Sequence, residues 1–175
     1  MRRFIITALI LIINIVLQST VLNLIRIHYV IPNTALIITV SMALLRGSFE
    51  GSLTGFGCGF LLDIFFGTSI GYYSVIGTLF GYLAGKFNHG FYKENYVLPI
   101  LMCFFSTIIY ESVIFFTSAF FYGYLNYFYF FFNLILPEAV YSAVFTIVIY
   151  RILFSVNEQL EKREKYKRRL FSIKK

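Results

Sequence analysis

Charge is scarce in this chain. Only 13% of its 175 residues are charged and eight are acidic. That is too little to hydrate the surface of a soluble domain in which 59% of the residues are hydrophobic. Histidine and cysteine are scarcer, at two residues each. Cys58 and Cys103 fall inside apolar runs, with no C-x-x-C spacing and no histidine pair nearby. This excludes a disulfide framework and a metal site and leaves packing as their role. No serine, histidine and acid set assembles on one side of the layout derived below, because His28 and His89 fall on opposite faces. An enzyme is therefore not expected, and no cofactor is called for.

What the chain has instead is long apolar runs, 21% aromatic residues and a mean hydropathy of +0.78. A bilayer core takes about 20 apolar residues per helix, so six spans use roughly 120 residues and leave short connections and a tail. The expectation is an all-α integral membrane protein with a transmembrane domain over 1–154 and a basic cytoplasmic tail helix over 155–175. Hydropathy predicts helices at 4–23, 29–45, 49–66, 70–87, 96–120 and 131–153. The second to fourth are short, and either a thin local bilayer or a re-entrant pair at 49–87 would account for that. Met1-Arg2-Arg3 before an apolar run has the charge order of a secretory signal. The run is too long for one and no A-x-A site follows, so an uncleaved first span is expected.

Fourteen of the fifteen Lys and Arg fall on one side of this layout, with Arg26 the exception. By the positive-inside rule both termini are cytoplasmic, and the loops at 24–28, 67–69 and 121–130 face outward. Eight of the fifteen cations lie between Lys162 and Lys175. Lys162, Arg163, Lys165, Lys167, Arg168 and Arg169 suit anionic lipid or a cytoplasmic partner rather than nucleic acid. Glu158, Glu161 and Glu164 stand four residues before Lys162, Lys165 and Arg168, the favourable order for helical ion pairs. In the last outward loop, "FFYGYLNYFYFFF" has ten aromatics in thirteen residues. It reads as an interfacial belt or as a docking surface for another membrane protein.

Three acids lie within predicted spans: Asp63, Glu111 and Glu138. At about 1.5 Å rise per residue all three fall in the outer half, at a depth similar to Asn14 and Gln18. No Lys or Arg is predicted there, so these acids should be protonated or hydrogen-bonded. Two roles look alike in sequence: helix pins, or an outward-opening pocket for a ligand or proton. Pro137, directly before Glu138, removes a backbone bond from the sixth helix, and Pro32 opens the second.

Glycine recurs every fourth residue at 47, 51, 55 and 59, with Asp63 at the next step and Gly67 and Gly71 beyond. Residues four apart share a helix face, so Gly51, Gly55 and Gly59 form a groove for close helix approach. Gly77, Gly81 and Gly85 repeat the pattern one span later. The third and fourth helices are thus expected to pack as a tight hairpin turned at "GTSIG", or to offer the groove to a partner.

The segment Ile31 to Phe87 resembles the rod shape-determining protein MreD family. It has a proline opening the second span, an R-G-x-x-x-G turn at Arg46, a G-F-x-x-G-x-x-x-D run through Gly55 and Gly59 to Asp63, and a Y-L-A-G close. Family members commonly carry an acid after the proline; here Asn33 follows Pro32, so no carboxylate role is expected there. The resemblance implies a non-enzymatic scaffold of the cell-wall elongation machinery in the bacterial cell membrane. Its implied partners are MreC, the glycosyltransferase RodA with its transpeptidase, and the filament protein MreB. It also implies a fold similar to the membrane subunits of energy-coupling-factor transporters, which keeps a small-molecule-binding or proton-coupled transport subunit as the alternative.

Overall fold

In the computed structural model the described residues are 2–20, 30–67, 70–88, 96–122 and 126–173, with side chains described over 5–20, 30–67, 70–88, 96–120 and 126–162. The fold is all-helical. Its elements are α1 (Arg2–Ser19), α2 (Thr34–Arg46), α3 (Ser48–Phe66), α4 (Tyr72–Lys86), α5 (Val97–Tyr122), α6 (Tyr127–Phe130) and α7 (Leu136–Ile173). A π-helical segment, Phe131–Ile135, joins α6 to α7 without a break, so the described residues form six rods.

The rods match the hydropathy expectation in number and order, and two differences have physical causes. First, α2 begins at Thr34 rather than near 29, because the Asn33 carboxamide oxygen accepts from the Leu36 N–H at 3.1 Å and caps the helix. Pro32 therefore lies ahead of the helix and does not kink it. Second, the last rod starts at Tyr127, inside the expected loop. The Tyr127 ring packs on Phe115 and Phe116 at 5.4 and 5.1 Å, and its hydroxyl hydrogen-bonds Ser112 at 3.0 Å. Those contacts hold an additional turn against α5. The same rod runs on to Ile173, so the helix expected over the tail continues the last span. Pro137 does leave its mark: the helix widens into its π-helical turn just upstream, where the missing N–H and the ring disturb the regular ladder.

At the centre stands α2, with every residue from Thr34 to Leu45 buried. An apolar helix with no polar stripe must be covered on all sides. Here α1, α3, α4, α5 and α7 all pack around it. One core cluster joins Ile38, Met42 and Leu45 to Leu11, Ile15, Tyr150 and Leu153; another joins Leu36, Val40 and Leu44 to Phe80 and Tyr110. The outer faces are apolar as well. Leu101, Phe105, Ile109, Val113, Phe116 and Phe120 form an exposed stripe along α5 at helical spacing, the inverse of a soluble helix.

Three helices are long and apolar enough to cross a membrane: Ser48–Phe66, Val97–Phe120 and Tyr127–Lys162. The others are shorter. The 13 residues of α2 rise only about 20 Å against a hydrocarbon core of about 30 Å.

The glycine rows of α3 and α4 face each other. A methyl group on Gly55 would land on the Gly77 carbonyl, one on Gly81 on the Gly51 carbonyl, one on Gly59 on the Tyr73 carbonyl, and one on Gly85 on the backbone of Ser48. Each four-residue step up α3 meets a four-residue step down α4, the register of an antiparallel hairpin in near backbone contact. The expectation of a tight hairpin thus describes the structure. The groove for a partner helix does not, because α4 fills it from within the same chain. Gly71, at φ +100°, supplies the left-handed residue that turns the chain into α4.

Candidate functional site

Polar groups gather at the two ends of the central helix, while the Asp63 carboxylate is taken up by the start of α4. Its carboxylate accepts from the backbone N–H groups of Gly71, Tyr73 and Ser74 at 3.0, 2.8 and 3.0 Å. The Ser74 hydroxyl donates to it at 2.5 Å. These N–H groups are the orphan donors at the start of α4, where a negative charge also meets the positive end of the helix dipole. Asp63 is thus a cap supplied from the neighbouring helix. It is 2% exposed and satisfied on both oxygens.

Glu111 and Glu138 do come together. Both line the same cavity, Glu111 from α5 and Glu138 from α7. The Asn33 side-chain amide donates to Glu111 at 3.3 Å, while its backbone N–H donates to Ser142 at 3.1 Å. An amide can cap α2 and donate to a carboxyl at once, a combination an ionised acid at this position could not offer. Asn33, Glu111 and Glu138 line a cavity of about 330 Å³ with Gln18, Tyr73 and Tyr110. That is the lower end of small-molecule pockets, or room for about ten waters. Of the five expected polar residues, then, Gln18, Glu111 and Glu138 share the cavity, while Asp63 caps α4 and Asn14 faces elsewhere. Asn33 and the two tyrosines were not singled out by sequence as pocket residues. The N-cap position of Asn33 after Pro32 was the available signal.

At the other end of α2, Arg46 is the hub of a second network. Its side chain is 4% exposed; its guanidinium pairs with Glu50 at 2.9 Å and donates to Asn157 at 2.8 Å and Thr7 at 3.3 Å. Asn157 in turn donates to Glu161 at 3.1 Å. One cation thereby ties α2 to α1, α3 and α7, at the helix C-terminus where positive charge is favoured. The sequence marks Arg46 as a cytoplasmic-side charge at a family-like turn but not as a hub, since nothing local points to Asn157, which is 111 residues away.

Of the tail pairs, Glu158 and Lys162 meet at 2.6 Å on an exposed face. The side chains of Arg163, Lys165, Lys167, Arg168 and Arg169 lie outside the described residues, as do the loop at 24–28 and both histidines. Cys58 and Cys103 are free and buried, as packing residues should be. No group of three or more His, Cys, Asp or Glu that could hold a metal occurs among the described residues.

The family model for the rod shape-determining protein MreD matches residues 1–158, which include Asp63 and its donors, the glutamate-lined cavity, and Arg46 with its three partners. The chain belongs to the MreD family. No curated protein and no solved structure matches it significantly. Membership places this MreD-family chain in rod shape determination as a membrane protein, in keeping with its three membrane-capable helices and apolar exterior.

Proposed function

We propose that this MreD-family chain is a non-enzymatic scaffold in the membrane part of the rod complex. It binds MreC, and through it helps organise peptidoglycan synthesis during elongation. The family match over 1–158 carries the reading. The use of buried polar groups supports it: Asp63 and Arg46 are spent on holding the chain's own helices together. In this reading all six rods cross the bilayer with both termini cytoplasmic, in a fold similar to energy-coupling-factor membrane subunits. The gathering of Thr7, Arg46 and Asn157 at one end and of the two glutamates at the other supports that orientation. RodA with its transpeptidase and MreB are further partners, and the tail from Lys162 onward meets anionic lipid or a cytoplasmic protein.

The test is recovery of MreC with the tagged full-length chain from solubilised membranes, together with rescue of rod shape in cells lacking the chain. Recovery and rescue are expected; a chain that restores rod shape without ever recovering MreC would overturn the binding role. Two glutamates lining one cavity favour a second reading, a subunit that binds a small molecule or moves protons. Saturable binding of a vitamin or a wall precursor, lost in Glu138→Gln, would support it. Flat titrations across such a panel would count against it.

A further inference from the structure

A groove of about 430 Å³ runs along the outside of the bundle between α1 and α7, floored by Thr34 and Ile38 of α2. It shares no lining residue with the acid-lined cavity. Its walls are positions 10, 13, 14 and 17 of α1 and positions 145, 148, 149, 152, 153 and 156 of α7. Those three- and four-residue steps are the seam positions of helices that receive another helix. The wall on α7 extends about 17 Å, or roughly three helical turns. Ile13, Leu17, Val148 and Ile152 in these walls are between 45% and 60% exposed.

One group breaks the apolar lining. Asn14 is 6% exposed, and its amide makes no hydrogen bond among the described residues. One turn further along α1, Gln18 accepts from Thr34 at 3.4 Å, so a neighbouring amide at similar depth is served where Asn14 is not. A lipid acyl chain in the groove would cover the aliphatic walls but leave both donors and acceptor of that amide unpaired in hydrocarbon, which is costly. A transmembrane helix answers both features. Its side chains interdigitate with the two seams, and a hydroxyl, an amide or a carbonyl bared by a small residue closes the bond to Asn14.

We propose that the groove between α1 and α7 seats one transmembrane helix of another chain, held by a polar group opposite Asn14. The proposal rests on the scaffold reading and gives it a location, on the α1 and α7 side rather than on the glycine faces that α3 and α4 consume against each other.

The experiment uses the full-length chain co-expressed with MreC. Single cysteines are introduced by Ile13→Cys and Ile152→Cys in the groove and by Leu101→Cys and Ile109→Cys on the outward face of α5. Each is paired with cysteines placed along the MreC span and oxidised in membranes. The native Cys58 and Cys103 are buried, so they add little background. Disulfides from the two groove positions and not from α5 are expected. Asn14→Leu should lower MreC recovery at least threefold while the chain's melting temperature holds. Disulfides from α5 alone, or full MreC recovery by both Asn14→Leu and Ile152→Trp, would overturn the groove and leave the scaffold reading standing. Failure of the unaltered chain to recover MreC would overturn both.

Discussion

Asp63 shows how a single carboxyl can look functional in sequence and be structural in three dimensions. An acid in an apolar run, with no cation predicted nearby, has two ways to exist: it can be neutral, or it can be surrounded by donors. The start of α4 offers four donors at once, three of them backbone groups that would otherwise be orphans. Asp63→Ala removes every acceptor and should destabilise the fold by about 2–4 kcal/mol, while Asp63→Asn, which keeps one acceptor oxygen, should cost about half as much. Melting of the purified protein in detergent measures both. Equal losses for the two variants would mean that the charge, and not the count of accepted hydrogen bonds, dominates. Because both of its oxygens are taken up by the start of α4, Asp63 variants report first on folding, whereas Glu138 variants report on the cavity it lines.

At the scale of the element, the hairpin of α3 and α4 rests on the absence of side chains. Gly55 and Gly77 bring backbone against backbone, so even one methyl has no flexible neighbour that could move aside. Gly55→Ala should cost about 1–3 kcal/mol, an overpacking penalty. Gly57 sits in the same helix but looks toward α1, and the only close atom an added methyl would meet is the tip of the Leu11 side chain. Gly57→Ala should therefore stay within about 1 kcal/mol of the parent, since the strain is relieved by a rotamer change and alanine favours the helix. Comparing the two melting temperatures separates a packing requirement from a general sensitivity of glycine positions. The glycine spacing, the hairpin and its turn were all legible in sequence, because a four-residue period and a glycine-rich turn are local signals. Which helix would fill the groove was not, because the same glycine face suits a neighbour in the chain or a helix from outside it.

The whole molecule is organised about a short central helix pinned at each end. Arg46 links three surrounding helices at one end, and Asn33 joins Glu111 of α5 to the start of α2 at the other. Removing the buried cation unpairs Asn157 and leaves Glu50, which is a third exposed, so Arg46→Ala should cost about 2–3 kcal/mol. Asn157→Leu should cost less, and a double-mutant cycle between the two should show coupling of about 0.5–3 kcal/mol. Additive losses would mean that Asn157 does not share in fixing α7 to the core. This link also carries α7 past residue 155 as part of the bundle, since Asn157 is buried against Arg46 rather than free in a tail.

By itself the sequence determined the class of this protein: scarce charge, long apolar runs and their number dictated a bundle of six helical rods, and the glycine period dictated the tight pair. These follow from composition and local periodicity, which need no knowledge of what lies opposite. Tertiary structure alone decided what each buried polar group does. It gave Asp63 to the start of α4, brought Glu111 and Glu138 to one cavity, joined Arg46 to Asn157, and left Asn14 facing an open groove. The physical reason is that a hydrogen bond depends on direction and on a partner within about 3 Å, and helices distant in sequence supply that partner only once they are packed.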